Sequence, residues 1–364
     1  METEVLRIIE GGLTNDHRKI INYSIKLAER LRREGNESLA KCIRQKIDVS
    51  TPHSAAVADA LRIIPLDSDS RLQIVEVIPS DKEKQEIVLN VLINKQVDEF
   101  VKLVVHQSDL ELAGVDIKKS LLLYGNPGCG KTSIAHYISE KTNLPLIVAR
   151  LDGIVSSLLG STAKNIRKIF DYAQSMPCIL FLDEFDAIAK ARDDIHELGE
   201  LKRVINSLLQ NIDSMPNHCV LIAATNHPEL LDRAVWRRFV QKIEVGLPST
   251  EEIIEMQKVF SKPFDSEALQ DLQKAKNFSK AIEGLSPSDI KTIFDRAKAK
   301  SALQGSRIIS LDKLLEGAFE IKGKGKSEEE YVVFLHNNGL TLANINKSTG
   351  ISLRKIKSYV SSNK

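Results

Sequence analysis

The segment Gly125-Asn126-Pro127-Gly128-Cys129-Gly130-Lys131-Thr132 has the spacing G-x-x-x-x-G-K-[ST]. It follows an apolar run and opens a stretch of helical periodicity, the context in which such a loop binds phosphates. Glycines let the loop wrap a phosphate chain closely, and its N–H groups with the following helix start turn positive potential toward it. In that arrangement Lys131 reaches the β- and γ-phosphates, the Thr132 hydroxyl ligates magnesium, and Ser133 continues the cradle. Farther along, the run CILFLDE at 178–184 ends in Asp183 and Glu184. Asp183 is the expected magnesium partner, directly or through water, and Glu184 the expected base that positions and polarises the attacking water for phosphoryl transfer. A strand end capped by two solvated acids is the plainer alternative, and the phosphate loop argues against it. The run VLIAAT at 220–225 ends in Asn226, whose amide can hold that water. The guanidinium groups of Arg237 and Arg238 can spread over the charge developing on a γ-phosphate, or simply pair on the surface.

Such residues have to be carried on the ends of buried strands. The runs LLLYG at 121–125, LPLIVARL at 144–151, CILFLDE and VLIAATN alternate with amphipathic stretches. Short apolar strands separated by helices imply a parallel sheet covered on both faces. The fold class expected is therefore α/β: a P-loop NTPase parallel sheet with helices on both faces, followed by a small helical lid, plus N- and C-terminal helical modules. The expected divisions are an N-terminal helical module at 1–50, a linker at 51–84, a nucleotide-binding domain at 85–248, a lid at 249–322 and a C-terminal module at 331–364, with the Gly- and charge-rich hinge GKGKSEEE at 323–330 before the last. Leu72 to Ile78 alternates weakly like a strand, and Gln85 to Val105 reads as helix.

At 364 residues, with 42% apolar and 27% charged, the chain has the composition of an ordinary globular protein of two or three domains. With 51 Lys and Arg against 49 Asp and Glu it is neither a basic coat nor an acidic tail as a whole. The four cysteines, Cys42, Cys129, Cys178 and Cys219, form no C-x-x-C pair and read as thiols of a reducing compartment. The N-terminus has no secretory pattern, and no run approaches the ~18 apolar residues of a membrane span. A cytoplasmic protein without membrane contact is expected.

Residues from about 85 to 320 resemble the AAA+ ATPases, in the subgroup of the FtsH-type proteases, p97, spastin and katanin. Gly125 to Thr132 resembles Walker A, Ile179 to Glu184 resembles Walker B, Asn226 matches the first sensor, and Leu231 to Phe239 (LDRAVWRRF) resembles the arginine-finger segment. The resemblance implies ATP and Mg2+ as cofactors, ATP hydrolysis, a homo-oligomeric ring, usually a hexamer, and fingers Arg237 and Arg238 that reach the neighbouring subunit's nucleotide. GLSPSDI at 284–290 resembles the lid motif, with Pro287 where relatives carry Gly. Ser156 to Ser161 aligns with the first pore loop, but Leu158 stands where polypeptide-threading relatives carry an aromatic, so Leu158 either grips a protein substrate or packs in the core. Ala191 to Gln210 reads as a second pore loop followed by a core helix. With AATNHPELLDRAVWRRF, this stretch is similar to stand-alone bacterial AAA ATPases encoded beside a subtilisin-like serine protease and linked to phage defence, which implies such a protease as partner.

The sequence LANINKSTGISLRKIKSYV at 342–360 has helix-turn-helix spacing, with Gly350 at the turn and Ser352 as N-cap. Residues 341–364 hold Lys347, Arg354, Lys355, Lys357 and Lys364 and no acid. The leading expectation is an ATP-hydrolysing ring motor that remodels or unfolds a protein. The alternative is a nucleotide-switched ATPase that holds DNA through 341–364, and a small helical pair serving only packing or docking competes with that reading.

Overall fold

The computed structural model describes residues 64–362 apart from 68–70, 81–85, 152–158, 188–197, 217 and 323–326, together with isolated positions before 64. Most of the expected N-terminal module and linker, Cys42, Leu158, the charged loop before Leu198 and Lys364 lie outside the described residues.

Strand β1 is Glu76–Ile78, helix α1 Val91–Val105 and strand β2 Ser120–Tyr124. Next along the chain are α2 (Lys131–Thr142), β3 (Leu146–Arg150), α3 (Leu159–Gln174), β4 (Cys178–Asp183) and α4 (Leu198–Asp213). After these come β5 (Cys219–Thr225), the short α5 (Arg233–Trp236) and β6 (Gln241–Glu244). The strands form a six-stranded sheet in the order β1-β3-β4-β5-β2-β6. The four apolar runs of the sequence are β2 to β5, which confirms a mixed α/β fold with a mainly parallel sheet. Two elements differ from expectation. Strand β6 begins Gln-Lys, so it lacks the apolar run that marks the others. Helix α1 starts at Val91 rather than near Gln85, because Asn90 caps it by accepting the Ile93 N–H at 2.7 Å.

By contacts the chain divides into two compact units, Met1–Glu83 with Ser139–Ile222, and Lys84–Ile138 with Ala223–Lys364. In the first, β1 lies antiparallel on β3, and β3 runs parallel to β4 with Arg150 opposite Asp183. Residues 178–182 of β4 are completely buried, as expected of a parallel strand covered on both faces. Helices α3 and α4 pack together, burying Ile166, Ile169 and Phe170 on one and Val204, Leu208 and Ile212 on the other.

In the second unit β2 runs parallel to β6, from Leu121 opposite Gln241 to Tyr124 opposite Glu244. Beyond β6 the chain is mostly helical: α6 (Thr250–Ser261), α7 (Leu272–Ala281), α8 (Pro287–Leu303), α9 (Leu311–Lys322), α10 (Glu328–Asn337), α11 (Leu342–Thr349) and α12 (Leu353–Ser362). A two-residue parallel pair, Asp265–Ser266 with Ile308–Ile309, ties the loops after α6 and α8. Helices α6, α8 and α10 each open with a capping box, from Ser249 and Glu252, Ser286 and Asp289, and Ser327 and Glu330. The expected hinge thus ends sooner than its charge suggests: Glu328, Glu329 and Glu330 form the first turn of α10, where carboxylates complement the helix dipole.

Helices α7 to α9 and helices α10 to α12 share one hydrophobic core. Phe278, Ile290, Phe294, Leu314 and Leu315 from α7 to α9 join Val332, Leu335, Ile345 and Ile356 from α10 to α12. The Phe319 ring lies 4.8 Å from that of Tyr331 and 5.4 Å from that of Phe334. Burial pushes the Tyr331 phenol up, and Glu316, Asp312 and Glu320 push it the same way. Among the described residues no helix is long and apolar enough to cross a membrane. Leu335→Ala removes a fully buried side chain from this joint core and is expected to destabilise the full chain by about 2–5 kcal/mol. The check is urea unfolding followed by far-ultraviolet circular dichroism.

Candidate nucleotide-binding site

The loop between β2 and α2 is shaped by two glycines. Gly125 has φ +136°, and a Cβ there would sit 2.3 Å from the Val245 carbonyl oxygen. Val245 is tied to the end of β2 through its own N–H, donated to the Tyr124 carbonyl at 2.7 Å. Gly128 has φ +75°, and a Cβ on it would meet Ser286 Oγ at 2.7 Å and Ser288 Cβ at 3.1 Å. The Ser288 N–H is donated to the Gly128 carbonyl at 3.1 Å, so the loop is fastened to the start of α8.

Lys131, the first residue of α2, is 7% exposed. Its ammonium donates to the carbonyls of Gly125 at 2.8 Å and Asn126 at 2.9 Å, closing the loop on itself. A helix start leaves backbone N–H groups without intrahelical partners, which makes it an anion site. Thr132 is exposed and Ser133 half-buried in the same first turn, while Asn126 and Pro127 lie on the exposed crest of the loop. Cys129 is buried beneath that crest. Burial pushes its thiol up, the Lys131 ammonium pulls against that, and Asp289 adds to the rise, so the side chain stays neutral near pH 7.

The departure at Pro287 has a local reason. Pro287 is the first residue of α8, where a missing N–H is no loss and the fixed φ suits the helix. Ser286 caps the helix, accepting the Asp289 N–H at 3.2 Å and donating to Asp289 Oδ2 at 2.7 Å. The segment that resembles a lid motif is therefore a strongly specified helix start against the loop after β2.

Asn226 follows the last residue of β5 and is half-buried. Asp232 caps α5 by accepting the N–H groups of Ala234 and Val235. Three contacts fix the end of α5 and the residues after it: the Trp236 ring stands edge-on to Tyr124 at 5.2 Å, Phe239 is buried, and Ser120 Oγ donates to the Arg238 carbonyl at 2.9 Å. Arg237 is exposed on this anchored backbone, whereas Arg238 is partly covered and donates to the Ala234 carbonyl at 2.8 Å. The supporting roles of Tyr124, Trp236 and Ser120 have little mark in the sequence; a lone tryptophan beside two arginines is the available signal.

Asp183 and Glu184 belong to the first unit. Asp183 ends β4 and Glu184 stands just beyond, with φ +52°. That is a left-handed conformation that a non-glycine residue adopts at a cost of about 1–3 kcal/mol and that clusters at functional sites. Asp183 Oδ1 accepts the Glu184 N–H at 2.9 Å. Phe185 and Asp186 are buried behind them. Asp186 is a third acid in Asp-Glu-Phe-Asp that the pattern of carboxylates at a strand end does not single out. The second unit thus holds the loop, Asn226 and both arginines and joins the loop to the start of α8, and the first unit holds Asp183 and Glu184.

Residues 121–247 match the model of the ATPase family associated with various cellular activities (AAA). The chain is 38% identical over 229 residues to an uncharacterized AAA family ATPase of Sinorhizobium fredii, covering 63% of this chain and 68% of that one. It is 30% identical over 287 residues to a proteasome-activating nucleotidase of Methanococcus vannielii, 72% of this chain and 70% of that one. It is 29% identical over 293 residues to the ATP-dependent zinc metalloprotease FtsH of Mesomycoplasma conjunctivae, 77% of this chain but 38% of that one. The chain belongs to the AAA family of ATPases, whose activity is the hydrolysis of ATP.

Gly125→Ala forces a methyl group into the Val245 carbonyl as well as straining φ, and is expected to destabilise the chain by well over the roughly 1 kcal/mol of a positive-φ substitution in open space. Gly130→Ala, where φ is +97° and nothing lies within 4 Å, supplies that comparison. Denaturant unfolding of the two variants side by side makes the check.

Proposed function

We propose that the chain is one subunit of an ATP-driven homo-oligomeric ring, hexameric in the manner of the family, that remodels or unfolds a protein substrate. The carrying observation is Lys131: a buried ammonium at the start of a helix, gathered onto the Gly125 and Asn126 carbonyls of a glycine loop. A cation so held can transfer to the terminal phosphate oxygens of a nucleotide with little rearrangement. Relatives whose names tie them to proteasome activation and to ATP-dependent proteolysis support a protein substrate.

In this reading the nucleotide domain runs over 85–248 and the lid over 249–322. The backbone of Gly125 to Gly130, with Asn126, Pro127 and Cys129 shaping its crest and Ser133 behind it, holds the phosphate chain. The Thr132 hydroxyl and the Asp183 carboxylate are hard oxygen donors of the kind magnesium takes, and that ion, when bound, supplies neutralisation of the β- and γ-oxygens. Glu184 takes the proton of the attacking water, and the Asn226 amide orients that water. Arg237, exposed on an anchored helix end, is assigned to the γ-phosphate of the neighbouring subunit's ATP. Arg238 joins it by releasing the Ala234 carbonyl. A subtilisin-like protease partner, a role in phage defence and a cytoplasmic site of action complete the reading; they rest on sequence resemblance and composition. Leu158 as a substrate grip rests on the same footing.

Glu184→Gln keeps the shape of the side chain and removes the base. Steady-state ATPase activity is expected to fall about 10²- to 10⁴-fold while binding of a fluorescent ATP analogue persists. An ATPase rate equal to the parent's would overturn the assignment of Glu184.

A further inference from the structure

Helices α11 and α12 and the residues between them are specified in detail. Thr341 caps α11 by accepting the Asn344 N–H at 3.2 Å. Gly350, at φ +74°, ends it, donating its N–H to the Asn346 carbonyl at 2.9 Å. The turn of Gly350, Ile351 and Ser352 is then held from both sides: Asn346 Nδ2 donates to the Ile351 carbonyl at 2.6 Å, and Thr349 Oγ1 accepts the Ile351 N–H at 3.2 Å. The Ile356 N–H reaches back to the Ser352 carbonyl at 3.0 Å and starts α12. Helix α10 packs on both, so the three helices make a tri-helical unit whose last two members form a helix-turn-helix.

The orientation of α12 separates its charges. Ile356 is buried and Tyr359 and Val360 pack against the same core. Lys355 is itself exposed but pairs with Glu328 at 2.7 Å, its ammonium over the Tyr359 ring at 5.6 Å. The outward side carries Arg354, Lys357, Ser358 and Ser361 at steps of three, four and seven residues, all exposed, with Leu353 exposed at the helix start. Among the described residues neither Arg354 nor Lys357 pairs with a carboxylate, and residues 341–362 contain no acid. Lys347 adds an exposed cation at the end of α11. Of the described cations of this segment, Lys355 faces a carboxylate, whereas Arg354 and Lys357 on α12 and Lys347 on α11 are presented to solvent.

We infer that α12 is a recognition helix that enters the major groove of double-stranded DNA. A helix with its side chains is about 10–12 Å across, matching a B-form major groove about 12 Å wide. Arg354 and Lys357 meet phosphate or guanine edges, Ser358 hydrogen-bonds, and Leu353 offers an apolar contact to a thymine methyl. Duplex RNA is not the partner, because its major groove is too deep and narrow for a helix. The inference rests on the C-terminal helices alone and is independent of the nucleotide chemistry proposed above.

The test uses the full chain and a labelled mixed-sequence DNA duplex of about 20 base pairs, followed by fluorescence anisotropy between about 50 mM and about 200 mM salt. The parent is expected to bind with affinity that falls steeply over that range. The double variant Arg354→Glu, Lys357→Glu changes only exposed side chains; it is expected to lose at least about tenfold in affinity and to show a shallower salt slope, with an unchanged unfolding midpoint and ATPase rate. The same charge reversal at exposed Lys274 and Lys276 of α7 leaves DNA binding as in the parent. Failure of the parent to bind the duplex at low salt, equal binding by the Arg354→Glu, Lys357→Glu variant, or tighter binding of duplex RNA or of an acidic peptide would each overturn the inference.

Discussion

Between the Cα of Gly125 and the carbonyl oxygen of Val245 there is room for a hydrogen and nothing larger. Much of the second unit is arranged around that approach. The Val245 N–H holds the end of β2, and the pairing of β2 with β6 sets Val245 where it stands. The loop leaves the strand with its carbonyls turned toward Lys131, and the lysine in turn keeps them there. A buried cation carries a desolvation cost, and neutral carbonyl dipoles offset less of it than an anion does. The Gly125 and Asn126 carbonyls and the Lys131 ammonium thus fix one another at the start of α2.

The arginine segment depends on the same strand end. Trp236 rests its ring on Tyr124, the residue just before Gly125, and Ser120 at the other end of β2 holds the Arg238 carbonyl. Ser120 also accepts the Val240 N–H at 3.0 Å, so one hydroxyl serves both sides of the chain's entry into β6. A flexible arginine acting on a distant phosphate loses side-chain entropy, and an anchored backbone limits that loss to the side chain itself. The short helix α5 has too few residues to be stable alone; its cap at Asp232 and these contacts maintain it.

Much of this is legible in the sequence because the informative residues are of rare type and fixed spacing. Gly125, Asp183, Glu184 and Asn226 each stand at the end of an apolar strand, and continuous apolar runs are what parallel strands need. Strand β6 escapes such a reading because its Gln241 and Lys242 are only half-buried, so hydropathy carries no trace of a strand that pairing with β2 creates. The left-handed Glu184 is equally invisible, since backbone strain at a non-glycine residue is a tertiary property. The hinge before the C-terminal module reads as too long for the opposite reason: three consecutive glutamates look like solvated linker until Ser327 is recognised as a cap and the charges as the complement of a helix dipole.

The same cap shows why the C-terminal helices are not an appendage. Through Phe319, Tyr331 and Phe334 the ring contacts continue the core of α7 to α9 into α10, and Ile345 and Ile356 continue it into α11 and α12. At the other end of that core, Ser286 caps α8, and its near neighbour Ser288 donates to the Gly128 carbonyl in the loop after β2. Close-packed interiors transmit displacement because they have few voids to absorb it. Phe294 and Leu315 of that core belong to one apolar cluster with Ile356, whose burial leaves Arg354 and Lys357 of α12 on the exposed side. That continuous apolar packing runs entirely inside the second unit, from the helix start beside Gly128 to α12.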